Sequence, residues 1–341
     1  MVRIISCLLT SVSPLVMLIS VAPAFAAPLF DDSAVIEIEL SGPISSVIAN
    51  KSSRDELSFV LRANGVEHDV NLRTRGKSRM RVCDFPPLRV SFSGDDTADS
   101  IFAGQTRLKL VTQCRKHERS TANVLEEFTA YRIFNLISDK GYQVRLLRVR
   151  YTDTDRELRP EMAEQYGFFI ESKDGLAERT RLEPATLTAV KRSSFNQQQV
   201  AEVYVFQYLI GNTDWSLVMA DGDDECCHNG ELFKSESDLF YVPYDFDLAG
   251  LVNARYAKPD PALGIRSVTQ RRYRGYCVST EVLISAIRRI KALRSDILQV
   301  PGEIPGLSAK NVAAEIKYLE RFFDEAENEE KLIKSFEKRC L

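Results

Sequence analysis

The chain has little of what several common enzyme classes need. Only three histidines occur in 341 residues, and Gly-x-Ser-x-Gly is missing. So few bases and no nucleophile elbow leave serine- and cysteine-hydrolase chemistry without support. Neither Gly-x-x-x-x-Gly-Lys-Ser/Thr nor Gly-x-Gly-x-x-Gly is present, which removes the standard phosphate loop and the dinucleotide fingerprint. There is no Cys-x-x-Cys, and His117 and His228 do not complete a zinc-finger spacing. Charge of neither sign is in excess: 45 basic residues stand against 48 acidic ones, which argues against nucleic acid as a partner. Beyond residue 26 no stretch approaches the roughly 20 apolar residues that span a bilayer.

What is there begins with a segment of different character. Arg3 is followed by an apolar run over Ile4–Val21, and Ala24-Phe25-Ala26 meets the small-x-small cleavage rule. A signal peptide over 1–26 is expected, with an exported chain, periplasmic or extracellular, and no stable membrane span after cleavage. Six cysteines then remain, enough for three disulfides in an oxidising compartment. Cys83 with Cys114 is the first expected pair, because each flanks a strand of the same half. Cys226 or Cys227 with Cys277 is the second.

The 44% hydrophobic content allows a large core, and the length suits one large or two medium domains. Alternation and turn residues predict strands at Val35–Leu40, Leu57–Ala63, His68–Arg73, Leu88–Ser93 and Arg107–Thr112, with the spacings of an antiparallel sheet. A helix is predicted over Thr121–Ser138, then strands at Val144–Tyr151 and Gly167–Glu171. Polar Lys173–Asn196 marks a boundary between a strand-rich part, 30–172, and a helical part, 173–341. Helices follow at Gln197–Ile210, Glu281–Ile297 and Ala309–Ala326, with a Pro301–Pro305 connector and a charged last helix. A small ribbon is expected at Glu231–Lys234 and Leu239–Val242.

The residues with chemical promise cluster between Gly211 and Asp247. Asp214, Asn229 and Asp245 end short apolar segments, and an acidic run, Asp221–Glu225, separates the first two. Such hard oxygen donors suit Mg²⁺ or Mn²⁺. A loop Asp, an Asn and a metal-binding Asp, in that order, are the parts of a phosphoryl-transfer site. Each also has an ordinary reading: Asp after Gly-Asn is a turn former, and Asp-x-Asp is common. His228 is expected to orient Asp214 or cap the loop, and Trp215 to pack in the core. Upstream, Arg73–Arg79 reads as a turn in which Gly76 permits a tight backbone and Arg73 and Arg75 offer bidentate donors for phosphate; its ordinary reading is a basic solvated hairpin. Lys109 lies in a strand, and Glu126 or Glu127 follows in a helix, a pattern like the Lys–Glu pair that holds nucleotide phosphates in kinases. Exposure of both is the ordinary alternative.

Several pieces occur together in order: Arg73-x-Arg75-Gly76-x-Ser78, Pro87–Phe92, Leu-Lys-Leu at 108–110, Tyr166–Glu171, Gly211-Asn212-x-Asp214, Asn229 and Pro243-Tyr-Asp245-Phe-Asp247. Through them the chain resembles the spore-coat-protein-H (CotH) kinase-like family. It is also similar to exported bacterial proteins carrying Cys-x-Phe-Pro-Pro (83–87) and Arg-Tyr-Arg-Gly-Tyr-Cys (272–277). The resemblance implies an α+β, protein-kinase-like two-lobed fold, with an antiparallel strand-rich N-lobe holding one long helix and a helical C-lobe. It implies Asp214 as catalytic base, and Asn229, Asp245 and Asp247 around Mg or Mn. It implies ATP as donor, held by Arg75, Gly76 and Lys109, with Glu126 or Glu127 orienting Lys109 and adenine lying against Phe169–Glu171. The expected activity is transfer of a phosphoryl group to a hydroxyl of a protein substrate outside the cytoplasm. The rivals are a non-catalytic module binding an envelope component, and a metal-dependent phosphoester hydrolase using Asp245, Asp247 and His228.

Overall fold

The computed structural model describes residues 29–53, 55–93, 97–218 and 226–341. The expected signal peptide and the acidic run 221–225 lie outside the described residues. In chain order the elements begin with β1 (Ile36–Gly42), α1 (Ile44–Ala49), β2 (Leu57–Ala63), β3 (Val66–Thr74), α2 (Ser78–Val82), β4 (Leu88–Phe92) and β5 (Arg107–Val111). Then come α3 (Glu118–Ile137), β6 (Val144–Asp153), β7 (Glu164–Ile170), α4 (Lys173–Thr180), β8 (Glu183–Ala185) and α5 (Gln197–Ile210). The chain finishes with β9 (Gly230–Lys234), β10 (Leu239–Pro243), α6 (Thr280–Ala292), α7 (Arg294–Glu303), α8 (Ala309–Glu327) and α9 (Glu329–Glu337).

The first seven strands close on themselves in the order β1-β2-β3-β4-β5-β7-β6. This corrects the expected two-lobed fold with its antiparallel sheet: the strands make a closed, mixed barrel, and helices pack outside it. The closing contact is parallel, β1 on β6, from Ile36 opposite Leu147 to Gly42 opposite Asp153. Alternating hydrophobicity shows which face of a strand is buried, but it does not say which strands pair. Leu40, Leu61, Leu72, Leu88, Val90, Leu110 and Phe169 fill the interior and are essentially inaccessible.

On the outside, the β5–β7 side of the barrel joins a second and larger core. Phe128 of α3 meets Phe168 of β7 edge-on at 5.6 Å, and Phe134 meets Phe206 of α5 at 4.7 Å. α3 is therefore buried around most of its circumference, Glu126 and Glu127 included. A three-stranded sheet, β10-β9-β8, packs on α5.

Three disulfides form. Cys83–Cys114 is the pair expected. The second expectation is corrected: Cys226 bonds its neighbour Cys227, and Cys277 bonds Cys340. The tail brings Cys340 to Cys277, where the Leu341 amide donates to the Gly275 carbonyl at 3.1 Å. The helix expected over Glu281–Ile297 divides at Leu293 into α6 and α7. Pro301 lies in the last turn of α7, where Ile297, Val300 and Ile304 all reach the core.

Candidate functional site

α5 ends at Gly211, whose φ of +67° is the left-handed turn that stops the helix. A Cβ here would meet Tyr318 Oη at 2.0 Å. The chain then turns through Asn212 and Thr213 to Asp214, and Arg274 donates to the Thr213 carbonyl. Trp215 is buried and stacks on Tyr204 at 5.7 Å, so its core reading holds. Asp214 is 38% exposed and held from two sides. His228 Nε2 lies 3.0 Å from Oδ1, and Asn229 Nδ2 donates to Oδ2 at 2.8 Å and to the Asp214 carbonyl at 2.7 Å.

Asn229 itself sits at φ +51°, between that loop and β9. Tyr241 Oη donates to the carbonyls of His228 and Asn229, both at 3.0 Å. The Tyr241 ring fills the space a Cβ on Gly230 would need, at 2.0 Å. The Tyr244 amide donates to the Asn229 carbonyl at 3.0 Å, which brings Tyr244 and Asp245 beside the Asp214 loop.

At Asp245 the chain turns, with φ +64°, and its amide donates to Tyr131 Oη at 2.9 Å. Asp245 and Asp247 reach one cation. That cation is Arg79 of α2. Its Nη2 meets Asp245 Oδ1 at 2.6 Å and Glu127 Oε1 at 2.7 Å, and its Nε meets Asp247 Oδ2 at 2.9 Å. Tyr256 Oη donates to Asp247 Oδ2 at 2.8 Å. One buried guanidinium faces three carboxylates, so the group carries surplus negative charge. Burial pushes the Glu127 carboxyl up to about 8, against the pull of Arg79 and helped by Asp247 and Asp245. Burial likewise raises Asp247 to about 6. Asp245 goes the other way: burial opposes ionisation, but Arg79, Arg75 and Lys109 together hold its carboxyl below the ordinary value.

Lys109 stands on the outer face of the barrel in a row of cations. Arg73 of β3 lies directly opposite Arg89 of β4, and Arg89 opposite Lys109 of β5. Cross-strand partners share a face, and like charges so placed repel. Arg107, two residues before Lys109, lies on the same face. Lys109 Nζ binds Glu231 of β9 at 2.8 Å and lies 4.5 Å from the Tyr244 ring centroid. Burial lowers its pKa although Glu231 raises it, with Arg75 and Arg89 adding to the lowering. Arg73 reaches Glu56 at 3.5 Å.

Several expected pairings do not form. Lys109 touches neither Glu126 nor Glu127; Glu231 and Arg79 take those places. Glu126 faces away, toward Arg119 at 2.6 Å and Asn123, and burial lifts its carboxyl to about 7. Glu171 is clamped by Arg179 at 2.9 and 2.8 Å and accepts the Gln143 amide. The edge meant for adenine is also closed, because Phe169 and Ile170 pair with β5 on one side and β6 on the other. The Glu171 amide donates to the Gln143 carbonyl. Gly76 is exposed at φ +94° with open space around it. The residues missed from sequence are Arg79, Glu231 and Tyr256. Only Arg79 left a trace, as the last residue of the Arg73–Arg79 turn, and nothing in that polar turn signals burial.

Among the described residues, no group of three or more His, Cys, Asp or Glu is spaced to hold a metal. Asp247 does not fit the role, being buried and committed to Arg79 and Tyr256. Asp245 and Asn229 do fit a site completed by substrate phosphates. Asp245 is 35% exposed and gives one carboxylate oxygen to Arg79, and Asn229 uses its Nδ2 on Asp214, which leaves its carbonyl oxygen as a donor.

No family model matches the chain, so its likeness to the CotH kinase-like family remains a resemblance of motifs. No curated protein matches it either. Among solved structures it is similar to the Helicobacter pylori proinflammatory kinase CtkA, at 11% identity and a TM-score of 0.36, over 84% of this chain and 92% of that one. A likeness at that level shows neither fold nor activity, and the chemistry is argued from this chain's own residues.

Proposed function

We propose that this chain is a phosphotransferase that moves a terminal phosphoryl group from a phosphate-chain donor such as ATP to a hydroxyl of a protein substrate. The observation that carries the reading is that Lys109 and Asp245 lie close to one another. Lys109 lies over the ring of Tyr244, the residue before Asp245, and its charge helps keep Asp245 ionised. Asp214, partly exposed and fixed by His228 and Asn229, is tied to the Asp245 turn by the Tyr244 amide, which donates to the Asn229 carbonyl.

In this reading Asp214 orients the acceptor hydroxyl and takes its proton. The hydroxyl oxygen bonds to the terminal phosphorus as the bond from that phosphorus to its bridging oxygen breaks. The bridging oxygen leaves with the electron pair, and Lys109 and Arg75 offset its charge. Asn229 and Asp245 would hold Mg²⁺ or Mn²⁺, which when bound neutralises phosphate charge. Asp247, Glu127 and Tyr256 keep Arg79 and the Asp245 turn in place.

The test is Mg²⁺- or Mn²⁺-dependent transfer from labelled ATP to the chain itself and to a mixed protein acceptor. Asp214→Asn is expected to lower the rate by roughly 10²–10⁴ while ATP binding persists. Asp245→Asn is expected to abolish the metal dependence. Equal rates in both variants and the parent would refute the reading. A second reading, a phosphate-binding module without turnover, is favoured by the Arg79 ion pair, which already offsets the Asp245 charge. It predicts binding that metal does not change.

A further inference from the structure

The face of the barrel around Lys109 carries more positive charge than one bound cation-pair partner explains. Arg73, Arg89 and Lys109 form one cross-strand row, and Arg107 shares their face. Arg75 is close enough to both Arg89 and Lys109 to lower their affinity for protons. Two carboxylates make ion pairs with these five cations among the described residues, Glu56 on Arg73 and Glu231 on Lys109, while Asp245 faces Arg75 and Lys109 without an ion pair to either. The guanidiniums of Arg75, Arg89 and Arg107 make no ion pair with any described residue. Folding has thus gathered like charges on facing strands without neutralising them, an arrangement that favours an anionic ligand.

The geometry of the row says which anion. Neighbouring strands lie about 4.8 Å apart, so the backbone positions of the row follow one another at regular steps in a line. Arginine forks bind phosphate oxygens two at a time. A chain of linked phosphates matches a line of forks; a single carboxylate does not. A base, by contrast, meets groups already engaged over much of the stretch where the sequence placed it. Both edges of β7 are consumed by β5 and β6, the Glu171 amide is bonded to Gln143, and the Glu171 carboxylate is clamped by Arg179.

We propose that this cationic face recognises its donor by the phosphate chain alone, through Arg73, Arg75, Arg89 and Lys109, and does not read a nucleobase. The proposal rests on the phosphotransferase reading and names the donor class for it. A nucleoside triphosphate and an inorganic polyphosphate present the same chemistry to this row, and both serve.

Calorimetric titration of the intact oxidised chain with ATP, GTP, inorganic tripolyphosphate and adenosine tests it. Tripolyphosphate is expected to bind within about threefold of ATP and to compete with it, GTP to match ATP, and adenosine to give no heat. Arg89→Ala is expected to weaken both ATP and tripolyphosphate by about tenfold, as loss of a charge-assisted contact does, and Arg89→Lys by less. Circular dichroism of Arg89→Ala checks that the outward-facing change leaves the barrel folded. Adenosine competing with ATP, tripolyphosphate binding more than about tenfold more weakly than ATP, or an undiminished affinity in folded Arg89→Ala would each overturn the proposal. Labelled transfer in the same samples separates it from the activity. Tight tripolyphosphate binding without transfer from either donor sinks the phosphotransferase reading and leaves phosphate-chain recognition standing. Transfer from ATP that tripolyphosphate cannot inhibit sinks the recognition proposal alone.

Discussion

At the scale of single residues, the molecule keeps buried charge in two arrangements. Around Arg79 three carboxylates share one guanidinium, whose flat fork serves several oxygens at once, as a lysine ammonium would not. Around Glu126 a single carboxylate meets Arg119 and Asn123, and burial still lifts it to about 7 from an ordinary 4.5. The sign follows from that direction. The folded state holds the Glu126 proton more tightly than the unfolded state, so its stabilising contribution is complete below about pH 4.5 and is lost as pH rises through about 7. Glu127, raised to about 8, and Asp247, raised to about 6, act in the same direction. Urea unfolding is expected to show falling stability across this window, with Glu126 contributing up to about 3 kcal/mol. Glu126→Gln should flatten part of the slope; an unchanged slope would mean that Glu126 does not titrate there.

At the scale of elements, the sequence was most legible where one residue type forces one geometry. α5 runs from Gln197 to Ile210, as its apolar density predicted, and β2 has the bounds its alternation gave. Gly211→Ala tests how far that stop matters for the site. The left-handed φ costs an alanine about 1 kcal/mol, and the Tyr318 hydroxyl stands where the methyl would go. A lowered melting temperature is expected, with weakened transfer, because the displaced turn carries Asp214. A variant with parental melting and parental activity would show that the turn tolerates the shift. Legibility failed where an element depends on distant partners. Nothing in Ser78–Val82 announces a short helix, because its reason is Arg79 reaching Glu127, 48 residues away. The pairing of Lys109 with Glu231 rather than with a helix glutamate depends likewise on where β9 arrives.

At the scale of the whole molecule, the tail is tied back by Cys277–Cys340, closing a loop of 63 residues. Replacing both cysteines by alanine is expected to cost about 4 kcal/mol through the freed unfolded chain, seen as a lower denaturant midpoint. An unchanged midpoint would mean that packing of α9 through Leu332, Ile333 and Phe336 suffices. The candidate site was partly readable because its donors fall in a compact stretch, 211–247. Of its cationic side, Arg73, Arg75 and Lys109 were legible, but Arg89 was not, since it lay in an ordinary strand and acquires meaning only from register with Arg73 and Lys109.

Closure by β1 against β6 sets an order of events. As the chain emerges from its N-terminus, Ile36–Gly42 acquires β2 early, but its other side waits until residue 153 has appeared. For more than a hundred residues of growth that row of amides and carbonyls stands open to any extended neighbour. A chain released early, before Val144–Asp153 is available, is therefore expected to aggregate through its first strand.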